Sequence, residues 1–156
     1  MRKNIFNEPD RANVLSRLEK LTAETVPQWG KLKPNQMLRH VIEGNKITLG
    51  ELQVPDRSSF FTRTIIRYFT LSGMIPPRER LEKNPIETFG QIDVIKQNIP
   101  AADFATEKAN FIADVERIIN ATKFAERSPL IGKMSKENWG QLTYSHINYH
   151  FTQFGV

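Results

Sequence analysis

Apolar side chains recur three and four residues apart through most of this chain, and no stretch alternates apolar with polar residues long enough to make a useful strand. That rhythm dictates helices. The most regular begins at Asp103 (DFATEKANFIADVERIINAT), where Phe104, Phe111, Ile112, Val115, Ile118 and Ile119 form a broad stripe opposite Glu107, Lys108, Asp114 and Glu116. An opening helix follows Asn7 to Asp10 (NEPD), which supplies a capping side chain, acids for the first turn and a proline near the first helical position. Val14, Leu15, Leu18 and Leu21 carry its stripe to about Thr22. A connector from Thr22 to Lys33 is broken by Pro27 and Gly30, with Trp29 expected to fold back as an apolar plug. Pro34 opens a second helix to about Gly50, with Met37, Leu38, Val41 and Ile42 inward. Arg57 to Met74 places Phe61, Ile65, Ile66 and Phe69 at helical spacing, and a last helix starts from a cap at Ser135.

Between these helices, Ile75 to Pro100 holds Pro76, Pro77, Pro85, Gly90 and Pro100, so it cannot be one regular element. Such a crossover joins bundle helices that are not antiparallel neighbours, and it can form a lid. The expected fold is all-α, one domain over residues 1–156. It is a four-helix bundle with a short extra N-terminal helix and a long irregular crossover before the third main helix. Gly30-Lys-Leu and Gly132-Lys-Met each lead into a histidine-bearing helix; similar helix entrances explain this echo without a duplication.

Composition removes several functions. No apolar run approaches the roughly 20 residues that span a bilayer; the best, Ile65 to Ile75, is broken by Arg67, Thr70 and Ser72. The start, MRKNIFNEPD, lacks the apolar centre of a secretory signal, so a cytoplasmic location is expected. With no cysteine there is no disulfide, thiolate ligand or thiol nucleophile, and any thiol chemistry needs a thiol from outside. The net charge of +5 is spread among interleaved acids without a run of like charges, which argues against nucleic-acid binding. Arg63 and Arg67 lie one turn apart, as a solvated face or as an anion site at the mouth of a pocket.

The chemistry lies in the three histidines. His146 and His150 stand four apart, about 6 Å along a helix axis and on one side of it, a spacing at which two imidazoles grip one ion. Trp139, Leu142, His146, Tyr149 or His150, and Gln153 follow one buried face. His40 adjoins the apolar stripe of the second helix, near Met37, Val41 and Gly44. Unpartnered imidazoles on inward faces are costly, so the three either hold a metal or are hydrogen-bonded core residues. Three nitrogen ligands without a fourth protein ligand leave a position for water or substrate; zinc, nickel, iron(II) and cobalt all accept such a set. Glu43 and Glu51 are candidate acceptors for the His40 ring, or else surface residues. Ile147 follows His146 where a zinc peptidase carries its glutamate base, which disfavours peptide hydrolysis by that route. Tyr149 is either a donor into a pocket or a packed aromatic.

Three segments, Trp29 to Val41 (WGKLKPNQMLRHV), Gly132 to Gly155 (GKMSKENWGQLTYSHINYHFTQFG) and, less specifically, Asp10 to Thr22 (DRANVLSRLEKLT), resemble the DinB-like superfamily of metal-binding helix bundles, in a branch of unassigned function. The resemblance covers both ends well and Leu52 to Pro100 poorly. It implies one histidine on an early helix and a His-x-x-x-His pair on a late one, which here match His40, His146 and His150. It further implies a divalent transition metal, zinc or nickel first, a small-molecule substrate and a low-molecular-weight thiol cosubstrate, in S-transfer or hydrolysis. A reading from another class is a non-catalytic bundle with the metal structural or absent, forming a homodimer through Phe60, Phe61 and Tyr68.

Overall fold

The computed structural model describes residues 2–83 and 89–156, and helices dominate it. Some begin where the sequence supplies a partner for the free N–H groups of a first turn. Helix α1 (Glu8–Leu18) follows Asn7, but the Asn7 side chain makes no capping bond; its amide donates instead to Asp10 Oδ2 at 3.3 Å, beside the Asn4 N–H at 3.0 Å. The helix ends at Leu18, short of Thr22, and Leu21 is buried from the following turn. In α2 (Pro34–Thr48), Pro34 needs no N–H partner and Gln36 Oε1 accepts the Lys33 N–H at 3.0 Å.

A π turn, Thr62–Ile66, runs directly into α3 (Arg67–Ser72). In the crossover lie α4 (Arg78–Lys83) and a 3₁₀ turn, Gly90–Ile92; Pro85 lies outside the described residues. Helix α5 (Phe104–Asn120) is capped by Asp103, which accepts the Thr106 N–H at 3.0 Å. Two short strands, β1 (Arg127–Ser128) and β2 (Gly132–Lys133), pair antiparallel, Arg127 opposite Lys133. Helix α6 (Lys136–Gln153) starts, as expected, at Ser135, which accepts the Asn138 N–H at 3.1 Å. The two echoing glycines, Gly30 and Gly132, share a left-handed backbone (φ +86° and +78°) before their helices.

The larger core cluster joins Val14 and Leu18 of α1, Met37, Leu38 and Val41 of α2, Phe111, Val115 and Ile118 of α5, and Ile147 and Phe151 of α6. Helix α2 packs on both α5 and α6, and α1 on α6. A smaller cluster gathers Ile47, Leu71, Ile92, Ile131, Met134 and Trp139, tying the end of α2 to α3, the crossover and the β1–β2 turn. Among the described residues no helix is long and apolar enough to cross a membrane.

Two faces differ from the sequence pattern. Glu107 and Asp114 are buried rather than wet, because α2 offers them partners. Glu107 Oε1 accepts from Arg39 Nη2 at 2.8 Å and from the Ala102 N–H at 2.8 Å, and Asp114 accepts from Asn45 at 2.7 Å. In the Phe60 to Ser72 stretch, Phe61, Ile65 and Phe69 are exposed and only Leu71 is fully buried. Arg67 provides the reason: it faces the body, donating to the carbonyls of Ile131 (3.0 Å) and Lys133 (2.7 Å) and to Asn138 Oδ1 (2.5 Å), which turns the aromatic side outward. Arg67 is thus neither a solvated charge nor an anion site, whereas Arg63 is exposed, with Nε and Nη2 donating to Ser58 Oγ.

Candidate metal centre

Helix α6 carries His146 and His150 one turn apart on the side that meets α2, and α2 carries His40 on the side that meets α6. The packing of the two helices therefore brings all three imidazoles together, with ring centroids 4.8–5.1 Å apart. His146 Nε2 lies 3.2 Å from His40 Nε2 and 3.2 Å from His150 Nε2. His40 and His150 are buried and His146 is half-buried.

The outer nitrogens decide what the inner ones can do. His40 Nδ1 is 2.9 Å from the carbonyl oxygen of Ile92, which can only accept, so the ring carries its proton on Nδ1. His150 Nδ1 is 2.9 Å from Gln153 Oε1, with the same consequence. Both rings thus point an Nε2 lone pair at His146 Nε2. A neutral His146 protonated on Nε2 can give that one N–H to only one of them, leaving the other lone pair without a donor, and protonated on Nδ1 it sets its own lone pair against both. A cation at the centre removes that conflict. For metal–nitrogen bonds of about 2.05 Å, neighbouring nitrogens lie about 2.9 Å apart at right angles and about 3.4 Å apart in a tetrahedron; the two contacts made by His146, 3.2 Å each, fall between, and the three ligand atoms all lie within 4.8 Å of one another. The group can hold a metal ion.

Gly44 supplies the space. A Cβ there would stand 3.1 Å from Cε1 and 3.4 Å from Nδ1 of His146, so any side chain would press on the ring. A glycine inside a helix costs about 1 kcal/mol relative to alanine, and room for His146 is what it gains.

Burial pushes the pKa of all three rings down. His40 is lowered by desolvation, partly offset by the Ile92 carbonyl and Asp93. His146 is held well below its ordinary value by desolvation and then by the two neighbouring rings. His150 is lowered to about 3, chiefly by desolvation, with Gln153 acting in the opposite direction. At neutral pH the donor set is uncharged, the state a metal requires.

The remaining expectations divide. Glu43 and Glu51 do not orient His40: Glu43 pairs with Lys46 at 2.7 Å and Glu51 with Arg117. Their place is taken by a backbone carbonyl of the crossover, which no side-chain pattern signals. Tyr149 is a packed aromatic with its ring edge-on to those of Trp29 and His150, and its hydroxyl accepts from Trp29 Nε1 at 3.3 Å. Trp29 is buried, as its reading as a plug requires. Gln153 and Gly44 carry roles that sequence reasoning missed; a glycine in mid-helix, four residues after His40, was the available signal. Two surface hollows, one beside Ile47 and Pro129 and one beside Arg2 and Pro9, are not lined by histidine.

Comparison of the chain with protein-family models, with curated proteins and with solved structures gives no match. What the protein does must come from the centre itself.

Proposed function

We propose that this protein is a small metal-dependent enzyme in which His40, His146 and His150 hold a divalent transition metal, zinc or nickel. It presents a low-molecular-weight thiol or a water to an electrophilic substrate, as a thiol S-transferase or hydrolase. The observation that carries the reading is the convergence of three neutral Nε2 atoms, two of them with tautomers fixed by acceptors outside the cluster. The sequence resemblance adds the reaction class and, as a further expectation, a DinB-like four-helix bundle.

A metal bound through three imidazoles lowers the pKa of a thiol or water at its open position and so supplies a nucleophile near neutral pH. The protein's own part is to keep the imidazoles uncharged and to aim them. The chain has no cysteine, so a reacting thiol is a cosubstrate. Protein loaded with one equivalent of zinc or nickel is expected to consume a low-molecular-weight thiol in the presence of an aryl halide or epoxide, or else to hydrolyse a thiol conjugate. His146→Ala should abolish this with its helical content intact. Neither activity in protein that demonstrably holds one ion would refute the catalytic reading.

One observation favours a second reading. Phe60 is 84% exposed, and Phe61, Ile65, Tyr68 and Phe69 extend the same uncovered apolar surface. Under this reading the protein pairs with a second copy through that surface, and the metal is structural or absent. Sedimentation equilibrium should then give a dimer that Phe61→Ser with Tyr68→Ser converts to a monomer, with metal content unchanged. A wild-type protein that stays monomeric at high concentration would rule this pairing out.

A further inference from the structure

We propose that Gln153 is a positioning residue that locks His150 in its Nδ1–H form, and that through it the connector between α1 and α2 controls the competence of the metal centre. The inference extends the metal-centre reading above, but its first observable needs no metal.

Gln153 is buried, and both ends of its amide are engaged. Its Nε2 donates to the carbonyl of Trp29 at 2.7 Å, and its Oε1 faces His150 Nδ1 at 2.9 Å. The Trp29 carbonyl can only accept, so the amide cannot turn over without opposing two oxygens. Its oxygen must therefore face His150, that oxygen can only accept, and the ring proton must sit on Nδ1. A backbone carbonyl in the connector thereby decides, through one side chain, that the His150 Nε2 lone pair points at the centre. A carboxylate at 153 would satisfy the ring but not the carbonyl, and a cation would do the reverse. An amide does both.

The connector is built to hold this grip. The Gln28 N–H donates to the backbone carbonyl of Gln153 at 2.7 Å, and the Trp29 indole reaches Tyr149, the neighbour of His150. Gly30 has φ +86°, and a Cβ there would overlap Gln153 Nε2, so the residue after Trp29 must be a glycine for backbone and for space. Three contacts from residues 28 and 29 thus clasp the last turn of α6. Loosening them frees the amide, lets His150 place its proton on Nε2 and withdraws one donor from the centre.

The test uses metal-free, 15N-histidine-labelled full-length protein. Long-range 1H–15N NMR is expected to show His150 as the Nδ1–H tautomer. Gln153→Met, which keeps the length and loses both polar ends, should shift His150 toward Nε2–H and weaken zinc binding about 10–100-fold, the usual effect of losing a ligand's orienting partner. Gln153→Glu, which keeps the acceptor, should retain Nδ1–H; rescue of this kind distinguishes positioning from packing. Gly30→Ala touches no histidine and should reproduce the Gln153→Met tautomer change. If Gln153→Met does not fold, Gly30→Ala beside Gln153→Glu decides the matter. His150 remaining Nδ1–H in folded Gln153→Met or Gly30→Ala would overturn the proposal. A wild-type protein that binds no zinc would count against the metal reading alone, since the tautomer is measured without it.

Discussion

Replacing His146 by alanine is expected to weaken zinc or nickel binding by more than about 100-fold and to erase the thermal stabilisation that the ion gives the wild-type protein. The magnitude follows from comparison with indirect effects: losing a partner that merely orients a metal-bound imidazole costs about 10–100-fold, and His146 is the ring whose Nε2 lies 3.2 Å from both others. An ion at 100 times its dissociation constant stabilises the folded state by about 2.7 kcal/mol, which raises Tm by about 5–10 °C in a domain of this length. The same substitution should change metal-free stability far less. His146 is half-buried, its Nδ1 faces Gly44 rather than a fixed acceptor, and removing it relieves a contact in which a neighbouring Nε2 lone pair lacks a donor. Elemental analysis and melting curves with and without one equivalent of metal read both effects. Equal metal content in wild type and variant would remove the triad as a site.

This asymmetry among the rings shows what the sequence could and could not convey. The pair on α6 was legible because two histidines four apart on one helix must share a side, and the Ser135 and Asp103 caps were legible because a cap is local. His40 was legible as a residue beside an apolar stripe. The parts that aim the rings were not. Ile92 contributes a backbone carbonyl, and every residue has one; only the path of the crossover singles it out. Gln153 continues the helical rhythm of α6 and shows its role only when the Trp29 carbonyl comes into place. The burial of Glu107 and Asp114 fails the amphipathic rule for a related reason, since charged groups can face inward where the opposing helix supplies Arg39 and Asn45. The outward turn of Phe61 and Phe69 likewise depends on where Arg67 finds its carbonyl acceptors. In each case periodicity located the face, and partners distant in sequence decided what it meets.

The metal-free protein should lose stability on mild acidification, and bound metal should delay that loss. His150 titrates near 3 in the fold against 6.5 for an ordinary histidine. Between those values the unfolded chain takes up a proton that the folded one refuses, so stability is flat above about pH 6.5 and falls as the pH drops below it. At about 1.4 kcal/mol per pH unit per proton, His150 alone removes about 2 kcal/mol between pH 6.5 and pH 5. His40 and His146 are lowered too and act in the same direction. The carboxylates whose pKa the fold lowers, Asp10, Asp56 and Asp103, lose their contribution only further down, so the upper window belongs to the histidines. Metal and proton compete for the same lone pairs, which is why the loaded protein should hold its stability to lower pH until protons displace the ion. Urea midpoints at pH 5, 6 and 7.5, with and without metal, give both curves. A metal-free midpoint unchanged from pH 7.5 to pH 5 would mean that the folded protein accepts protons on these rings as readily as the unfolded chain does. Such a cluster is not the desolvated, uncharged donor set on which the metal reading depends.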